Sequence, residues 1–365
     1  MRKILFLIIC LPLLSLMSCD VHEFPIEEDK QLVPFSLHLD FTTEMPLYKE
    51  ITMTRANKSE TKAPVTQHSI RYTVKAYRND KTRVDSREAD TTFVFTKSDI
   101  GDLNFTAPLQ LHEGVYDFQV WADYVDLNSS TDKYYDTSDF SEIILSDKKN
   151  HSGSNDCREA FRGYASATVK NPAYYKGDVT ASIDNQAYAE MRRPMGKFKF
   201  VSTDVDRFLT RVAQMMKEKG MQMSLKPESD SQPSNESIFQ DIALEDFTVV
   251  FRYNLFMPCS YNMFTDKPAD SWTGVTFTSR MFTEDYKEMT LGYDYIFVNG
   301  SETTLSISVE VYDMDGKLMS STNPIDVPIV RNKLTIVKGE FLTSKASEGV
   351  VISPEFDGEY NIIIK

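Results

Sequence analysis

Residues 114–124, GVYDFQVWADY, alternate apolar and polar side chains over nearly their whole length. The apolar positions are Tyr116, Phe118, Val120, Ala122 and Tyr124. The residues between them are polar except for Trp121, and a spacing of two is that of side chains on one face of a β-strand. Residues 70–76 and 305–311 repeat the pattern. The sequence therefore predicts antiparallel sheets with one face on a core and the other in water.

One segment follows helical spacing instead. Its apolar residues are Val205, Phe208, Leu209, Val212, Ala213 and Met216. Thr203 or Asp204 stands where a capping side chain is preferred, and Gly220 stands where a helix commonly ends. We expect one helix over about residues 204–219.

The length of the chain and a new strand pattern after residue 190 predict two domains. Removal of a leader would leave about 345 residues, more than one domain usually holds. We place an N-terminal β-sandwich domain at 34–190 and a C-terminal β-sandwich domain, with the helix, at 191–365. The fold class is all-β, mainly strands with one helix. The last residues, 360–365, form a strand that either pairs within its own sheet, which we favour, or is donated to another subunit.

The amino terminus combines two basic residues, an apolar run and a cysteine. Arg2 and Lys3 precede residues 4–17, which are too few to span a bilayer as a permanent helix, and Cys19 follows a small residue. This pattern is typical of a bacterial lipoprotein signal. It predicts a signal peptide over 1–18, lipid attachment at Cys19, and a lipidated tether over 19–33. The alternative is an ordinary signal peptide with an incidental cysteine.

Charge and cysteine content restrict the expected partners and the possible disulfide bonds. Without residues 1–19 the chain has 38 basic and 54 acidic residues, a net charge of −16. No cluster of basic residues stands out, so nucleic acid is not an expected partner. Beyond Cys19, only Cys157 and Cys259 remain, and they could form one disulfide in an oxidising compartment or stay as thiols.

Motifs that carry catalysis or cofactor binding are missing from the sequence. The five histidines are His22, His38, His68, His112 and His151. None of them has a partner at metal-ligand spacing, and no nucleophile elbow, dinucleotide fingerprint or phosphate-binding loop occurs. We therefore expect a non-enzymatic protein without cofactor or metal. A hydrolase of unfamiliar type would require convergent carboxylates or a histidine-based pair that spacing cannot reveal.

Two sets of acidic residues are candidates for a calcium site. Residues 313–316, DMDG, begin like a calcium loop, but Pro324 stands where the final glutamate would be, so a turn is favoured. Asp117, Asp123 and Asp126 surround a strand end and could hold calcium or act as paired acids. A solvated strand edge accounts for them equally simply, and we favour it.

Aromatic residues in polar surroundings raise a second hypothesis. They are Tyr134 and Tyr135, Tyr174 and Tyr175, Trp121, and Trp272. Exposed rings would suit stacking on sugars or a protein interface, whereas buried rings would belong to the sandwiches or their rims.

Four stretches resemble the fimbrillin and fimbrial-anchor lipoproteins of Gram-negative anaerobes, together with a related uncharacterised family of two-domain surface lipoproteins. Residues 19–25 (CDVHEFP) and 155–163 (NDCREAFRG) are similar to the uncharacterised family. Residues 193–198 (RPMGKF) are similar to an Arg-x-x-Ala-Lys motif of the wider group, with Gly196 in place of alanine. Residues 330–335 (VRNKLT) are similar to an Arg-Asn turn between late strands.

The resemblance implies tandem transthyretin-like or Ig-like β-sandwiches, a lipid anchor on the outer membrane, and display at the cell surface. It also implies fimbrial subunits or other surface proteins as partners. In polymerising members a protease cuts after an arginine and a neighbour's strand is added; Arg55 is the corresponding candidate, although we favour an uncut loop. Residues 90–92 (DTT) resemble an O-glycosylation acceptor centred on Thr91.

Together these features predict a lipid-anchored fimbrial anchor or fimbrillin-like assembly and adhesion component that acts through the edges of its sandwiches. The alternative is a glycan-binding surface lipoprotein without catalytic activity. Coplanar exposed aromatic rings on one sandwich face would distinguish it.

Overall fold

The computed structural model describes residues 31–41, 68–79, 88–147, 150–175, 183–220, 242–283, 287–343, 350–353 and 359–364. These residues form mainly β-strands with one α-helix, which confirms the predicted fold class. The strands are β1 (Val33–Phe41), β2 (His68–Arg78), β3 (Thr91–Lys97), β4 (Phe105–Leu111), β5 (Gly114–Asp126), β6 (Tyr135–Asp136), β7 (Ile143–Leu145), β8 (Ala160–Val169), β9 (Gln186–Met191), β10 (Met195–Ser202), β11 (Thr248–Tyr253), β12 (Phe256–Pro258), β13 (Ser260–Asn262), β14 (Lys267–Pro268), β15 (Ser271–Thr273), β16 (Thr276–Ser279), β17 (Met289–Phe297), β18 (Glu302–Tyr312), β19 (Leu318–Ser321), β20 (Ile325–Val330), β21 (Leu334–Gly339), β22 (Val350–Ser353) and β23 (Glu359–Ile364). The helix, α1, covers Val205–Glu218.

The first sandwich pairs a three-stranded sheet, β4-β1-β9, with a four-stranded sheet, β3-β2-β5-β8. Its core contains aromatic side chains from both sheets: the rings of Phe35 and Phe118 lie 5.3 Å apart, and those of Tyr72 and Phe105 lie 4.7 Å apart. The buried hydroxyl of Tyr72 donates to the carbonyl of Leu103 at 2.7 Å. The alternation of apolar residues along β2 and β5 thus places one face of each strand in this core.

The second sandwich is larger. Its sheets are β17-β10-β21-β23-β22 and β16-β11-β18-β19, and β20 also pairs with β18. Phe251 and Phe277 stack with their ring centroids 4.6 Å apart. Helix α1 buries the apolar face that the sequence predicted, and its Phe208 ring lies 5.2 Å from that of Phe247.

Local details refine two predictions. Asp204 occupies the N-cap position of α1, but its carboxylate accepts the backbone N–H of Thr343 at 2.8 Å instead of capping the helix. At residues 313–316 the structure has the favoured turn: the Asp313 carboxylate accepts the backbone N–H of Lys317 at 2.8 Å, and Gly316 has a positive φ of 74°.

Parallel pairing is the main departure from the expected antiparallel sheets. Among the described strands, β1 pairs in parallel with β9, β10 with β21, and β21 with β23. Parallel partners need long crossover connections, so a pattern within one strand does not reveal them. The last of these pairs places the C-terminal strand β23 in its own chain's sheet, as expected.

The motif at residues 193–198 has glycine where the resembling proteins have alanine, and the packing accounts for the difference. Gly196 opens β10 against the end of β20. A Cβ atom there would lie far inside van der Waals contact with the carbonyl oxygen of Val330 and 2.8 Å from a methyl group of Ile329. Only glycine permits this close approach of the two backbones.

Replacing Gly196 with alanine should therefore lower the free energy of unfolding by about 1–3 kcal/mol, the usual cost of overpacking. Urea denaturation of a soluble form without the leader would measure it. Gly101→Ala is the matched control, because its Cβ would meet only the flexible Asp99 carboxylate at 3.3 Å. Equal stabilities of the two variants would contradict the role assigned to this close packing.

Candidate functional site at the junction of the two sandwiches

A separate four-stranded sheet joins the two halves of the chain. Strands β6 and β7 come between β5 and β8 of the first sandwich in the sequence, and they pair with β13 and β14 of the second half in the order β14-β13-β7-β6. Beyond the ladder itself, the backbone N–H of Leu145 donates to the carbonyl of Cys259 at 2.9 Å, and that of Met263 donates to Phe140 at 2.9 Å. Continuous backbone pairing across the junction opposes independent movement of the halves.

An aromatic cluster lies beneath this sheet. Trp121 is fully buried, with its ring 5.4 Å from Tyr135, 6.3 Å from Tyr261 and 6.4 Å from Phe297. Although it belongs to a strand of the first sandwich, it packs in the hydrophobic core of the second half. This is why Trp121 interrupts the polar side of its strand: that face is covered by the other half of the chain rather than by water.

The Asp294 cluster is a deeply buried group of charges at the junction. The carboxylate of Asp294, on β17, contacts the His151 ring at 2.5 Å and accepts the hydroxyl of Tyr253 at 2.6 Å. The Arg158 guanidinium lies 3.3 Å from Asp294 and donates to Asp147 at 2.7 Å. His151, Arg158 and Asp147 come from the first half of the chain, so both halves contribute.

The Arg193 cluster joins three of the four stretches that carry the family resemblance. Arg193 and Glu159 form a fully buried ion pair, and Arg193 also donates to the side-chain carbonyl of Asn332 at 3.0 Å. Asn332 has a positive φ of 58°, and its backbone N–H donates to the carbonyl of Met195 at 2.9 Å. The motifs at 155–163, 193–198 and 330–335 therefore meet at one place.

The Asp266 cluster completes the polar junction. Both oxygens of Asp266 accept the Arg331 guanidinium, at 2.6 and 3.0 Å, while Arg162 of the first sandwich approaches it at 3.2 Å. Beside Glu159, the Lys197 ammonium donates to the Asp156 carboxylate at 2.6 Å. The contacts of Arg162 and Lys197 each cross from one half of the chain to the other.

In the Asp294 cluster, burial and the neighbouring charges shift pKa values in opposite directions. Burial alone would lower the pKa of His151, but Asp294 and Asp147 outweigh it and raise that pKa above the ordinary value. Burial would raise the pKa of Asp294, yet His151 and Arg158 hold it below its usual range. With His151 protonated, the Asp294 cluster has two cations and two carboxylates, so its charges cancel.

This arrangement is suited to fixing an orientation. Removing one partner of a buried ion pair leaves an uncompensated charge, whereas the intact pair fits in only one geometry. Within the described residues, no group of three or more His, Cys, Asp or Glu side chains could hold a metal ion. Helices able to cross a membrane are likewise not found among them.

The other residues singled out from the sequence do not converge on one site. Cys19 and Arg55 lie outside the described residues. Asp123 is buried against Arg71 at 2.7 Å, Asp117 accepts the hydroxyl of Tyr164, and Asp126 pairs with Lys133, so the calcium hypothesis for the three acids is wrong. Asp117 and Asp123 share a face of β5 but lie six residues apart, roughly 20 Å along the strand, and Asp126 points to the opposite face, which is why the three do not converge.

The structure also shows where the aromatic residues and the cysteines lie. Trp121, Trp272 and Tyr135 are buried, Tyr134 and Tyr175 are half-buried, and Tyr174 is exposed. The two tryptophans therefore do not form a sugar-stacking platform.

Cys157 and Cys259 are both buried, and no disulfide joins them. Thr91 is half-buried at the start of β3.

The buried charges were missed by sequence reasoning. A polar residue in an alternating strand usually faces water, and the pattern does not reveal that another part of the chain covers it. Trp121 was the one indication in the sequence of a covered face, because a large apolar side chain on an otherwise polar face of a strand indicates that another part of the chain packs against it.

Comparison with known proteins identifies the family. Residues 31–365 match a family of unknown function, DUF6562. The chain belongs to this family. Among curated proteins none matches it.

Solved structures similar to this DUF6562 chain include two from Bacteroidales. The fimbrial anchor protein Mfa2 from Porphyromonas gingivalis is 11% identical with a TM-score of 0.34, covering 80% of this chain and 82% of its own. A fimbrial assembly protein from Parabacteroides distasonis is 13% identical with a TM-score of 0.37, covering 88% and 94%. The match to DUF6562 confirms the expectation of an uncharacterised family.

Two adjacent arginines allow a matched test of the junction. Arg193→Met should lower the free energy of unfolding by about 3–5 kcal/mol, because it leaves Glu159 buried without its cation. Arg192→Met should cost at most about 1 kcal/mol, since Arg192 is 66% exposed in its pair with Glu190. Urea titration would measure both, and a similar loss in the two variants would contradict a special role for the buried pair.

The stability of the junction should also depend on pH through His151. Its pKa is raised from 6.5 in the folded protein, so its contribution is complete below pH 6.5 and is lost as the pH rises through the folded pKa. His151→Gln keeps a polar side chain without this titration. The urea midpoint of the wild type minus that of His151→Gln should fall as the pH rises above 6.5. A difference that stays constant with pH would contradict the role assigned to His151.

Proposed function

We propose that this chain is a lipid-anchored, non-enzymatic protein of the outer membrane surface that anchors or joins fimbrial subunits through an edge of its first sandwich. The observation that carries the proposal is the free edge at β3, which belongs to the same sandwich as β1, the strand that follows the predicted lipidated tether. Two supporting features are the amino-terminal pattern and the buried charges that hold the second sandwich against the first.

The amino-terminal pattern supplies the membrane attachment. Cys19 would carry the lipid once the signal peptide has been removed, and several acyl chains on one cysteine hold it durably at about 0.8 kcal/mol per buried methylene. Residues 19–33 would connect that lipid to β1, which lies in the middle of its sheet between β4 and β9. A pull on the partner would then reach the membrane through a central strand.

An uncut chain suits this role better than a processed one. Cleavage after Arg55 would separate β1, and the lipid before it, from the rest of the protein. Phe35, Leu37 and Leu39 of β1 are fully or almost fully buried in the first core, so only non-covalent packing would then retain the anchor. For this reason we propose an intact anchor rather than a polymerising subunit.

Strand β3 offers the most suitable edge for a partner. Among the described strands it has a neighbour on the β2 side alone. Phe93 and Phe95 on β3 are half-buried against the first core, with the Phe95 ring 5.4 Å from that of Phe105 on β4. An added strand would hydrogen-bond to the β3 backbone and cover these rings, which is how strand addition combines affinity with specificity.

Site-specific photo-crosslinking in the native bacterium would test the proposal. A photoreactive side chain at exposed Thr96 on β3 should crosslink to a fimbrial subunit identified by mass spectrometry. The same side chain at Val115, which is 41% exposed on the central strand β5, should not. In a Cys19→Ala background the protein should lose labelled fatty acid and the Thr96 crosslink together.

Two results would contradict this function. Equal crosslinking from Thr96 and Val115 would show that the β3 edge is not the contact. Membrane fractionation and fatty-acid labelling that persist in Cys19→Ala would show that the anchor lies elsewhere.

A further inference from the structure

The sequence of β3 is symmetric about its centre. Residues 92–96 read Thr-Phe-Val-Phe-Thr in both directions, with Val94 in the middle. Exposure follows the same symmetry: Thr92, Val94 and Thr96 are exposed, whereas Phe93 and Phe95 are half-buried against the first core. A strand of this kind presents the same side chains, in the same order, to a copy of itself that runs in the opposite direction.

The edge formed by β3 has none of the features that usually prevent strand pairing. Among the described strands, the first sandwich has three other edges, and β4 contains Pro108, β8 contains Arg162 and β9 contains Glu190. Residues 91–96 of β3 include neither a proline nor a charge, and their register with β2 has no bulge. Because charges, prolines and bulges are what keep exposed edges from pairing, this edge is open to a further strand.

A second copy of the chain fits this edge. When two β3 strands pair antiparallel with Val94 opposite Val94 of the second copy, Phe93 lies opposite Phe95 and Thr92 lies opposite Thr96 on both sides of the axis. The contact has two-fold symmetry, as the commonest protein dimers do. Pairs of aromatic residues and pairs of threonines are favourable across strands, so each position from 92 to 96 gains a suitable neighbour.

The phenylalanine rings would be covered by this pairing. The rings of Phe93 and Phe95 lie 6.5 Å apart, and the Phe95 ring lies 5.4 Å from that of Phe105 on β4. Both side chains stay partly exposed, since no described strand continues the sheet beyond β3. A second copy would place its own two rings beside them, which removes apolar surface from water and extends the first core across the contact.

Charge does not oppose the contact at the strand itself. The net charge of −14 repels two copies at long range. The charged residues at the two ends of β3 are held by their own chain: Asp90 contacts Arg78 at 3.6 Å, and the Lys97 ammonium donates to the carbonyls of Asp102 and Asn104 at 2.5 and 3.3 Å. The centre of the contact is therefore uncharged.

We propose that two copies of this chain pair through β3, antiparallel and centred on Val94, when no other strand occupies the edge. A strand from a fimbrial subunit would require no symmetry in β3, so the symmetry favours a second copy as the occupant. Self-pairing stands without the proposed function, whereas its consequence, a β3 edge capped until a subunit displaces the second copy, rests on that function. One strand pair is a small contact, so we expect a weak and reversible dimer.

Both copies can be attached to one membrane. Antiparallel pairing places the amino-terminal ends of the two β1 strands at opposite ends of the dimer. Residues 19–32, which would connect the lipid to β1, can span at most about 50 Å, whereas the nine residues of β1 span about 30 Å. Attachment to the same surface would also raise the effective concentration of the copies and favour a weak contact.

Cysteine crosslinking of the detergent-solubilised full chain would test the register. Val94→Cys should form a disulfide-linked dimer under mild oxidation, because the same position faces itself across the axis. Thr92→Cys and Thr96→Cys should each stay monomeric alone, since their own counterparts lie about 13 Å away, but they should crosslink when mixed. The wild type is the control for Cys157 and Cys259, which are buried.

A charge exchange at Val94 gives a second test. In the mixture of Thr92→Cys and Thr96→Cys chains, adding Val94→Lys to both should remove most of the crosslinked product, because like charges would face each other. Adding Val94→Lys to one chain and Val94→Glu to the other should restore it. Val94 is 47% exposed, so neither change should alter the thermal unfolding midpoint.

Three results would overturn the inference: a Val94→Cys chain that stays monomeric, Thr92→Cys and Thr96→Cys chains that crosslink with themselves as readily as Val94→Cys does, or no recovery with opposite charges. These mixtures contain no fimbrial subunit, so the two proposals fail separately. A Val94→Cys dimer without a subunit crosslink from Thr96 in the bacterium would reject the subunit contact alone, and the reverse result would reject self-pairing alone.

Discussion

The ion pair between Arg193 and Glu159 is the interaction on which the relation of the two sandwiches depends. Both side chains are fully or almost fully buried, so each would carry a large desolvation penalty without the other. Arg193 stands at the start of the second half of the chain and Glu159 in the first, and the guanidinium also reaches Asn332 in a late turn. Because a guanidinium presents its donors in a fixed planar fork, the pair restricts both distance and angle. The Asp294 and Asp266 clusters repeat this restriction at the same junction.

The shared sheet and the buried charges make the two sandwiches one unit, so the free β3 edge keeps a fixed position relative to the second sandwich. Separating the halves would break the backbone pairing of β7 with β13 and expose the rings around Trp121 to water. The junction therefore holds the two sandwiches in one arrangement.

Sequence reasoning reached the parts of this fold that depend on local periodicity. Helix α1 was predicted to within a residue or so at each end, because apolar spacing of three and four residues is characteristic of one face of a helix. The strands of residues 70–76, 114–124 and 305–311 followed from their alternation. The junction did not follow, since Asp123, Asp294 and Glu159 look like solvated acids until the chain that covers them is known. Trp121 and Gly196 were visible exceptions to their patterns, and both mark close contacts between segments distant in sequence.

The stretches that carry the family resemblance show what such short motifs specify. Residues 155–163 contribute Glu159, residues 193–198 contribute Arg193, and residues 330–335 contribute the turn at Asn332. All three contribute to the same buried junction, and none of them lies on the β3 edge. The exposed residues of β3, such as Thr92, Val94 and Thr96, lie outside all of these stretches. The motifs therefore describe the packing of the junction, and they carry no information about the surface that we propose as the contact.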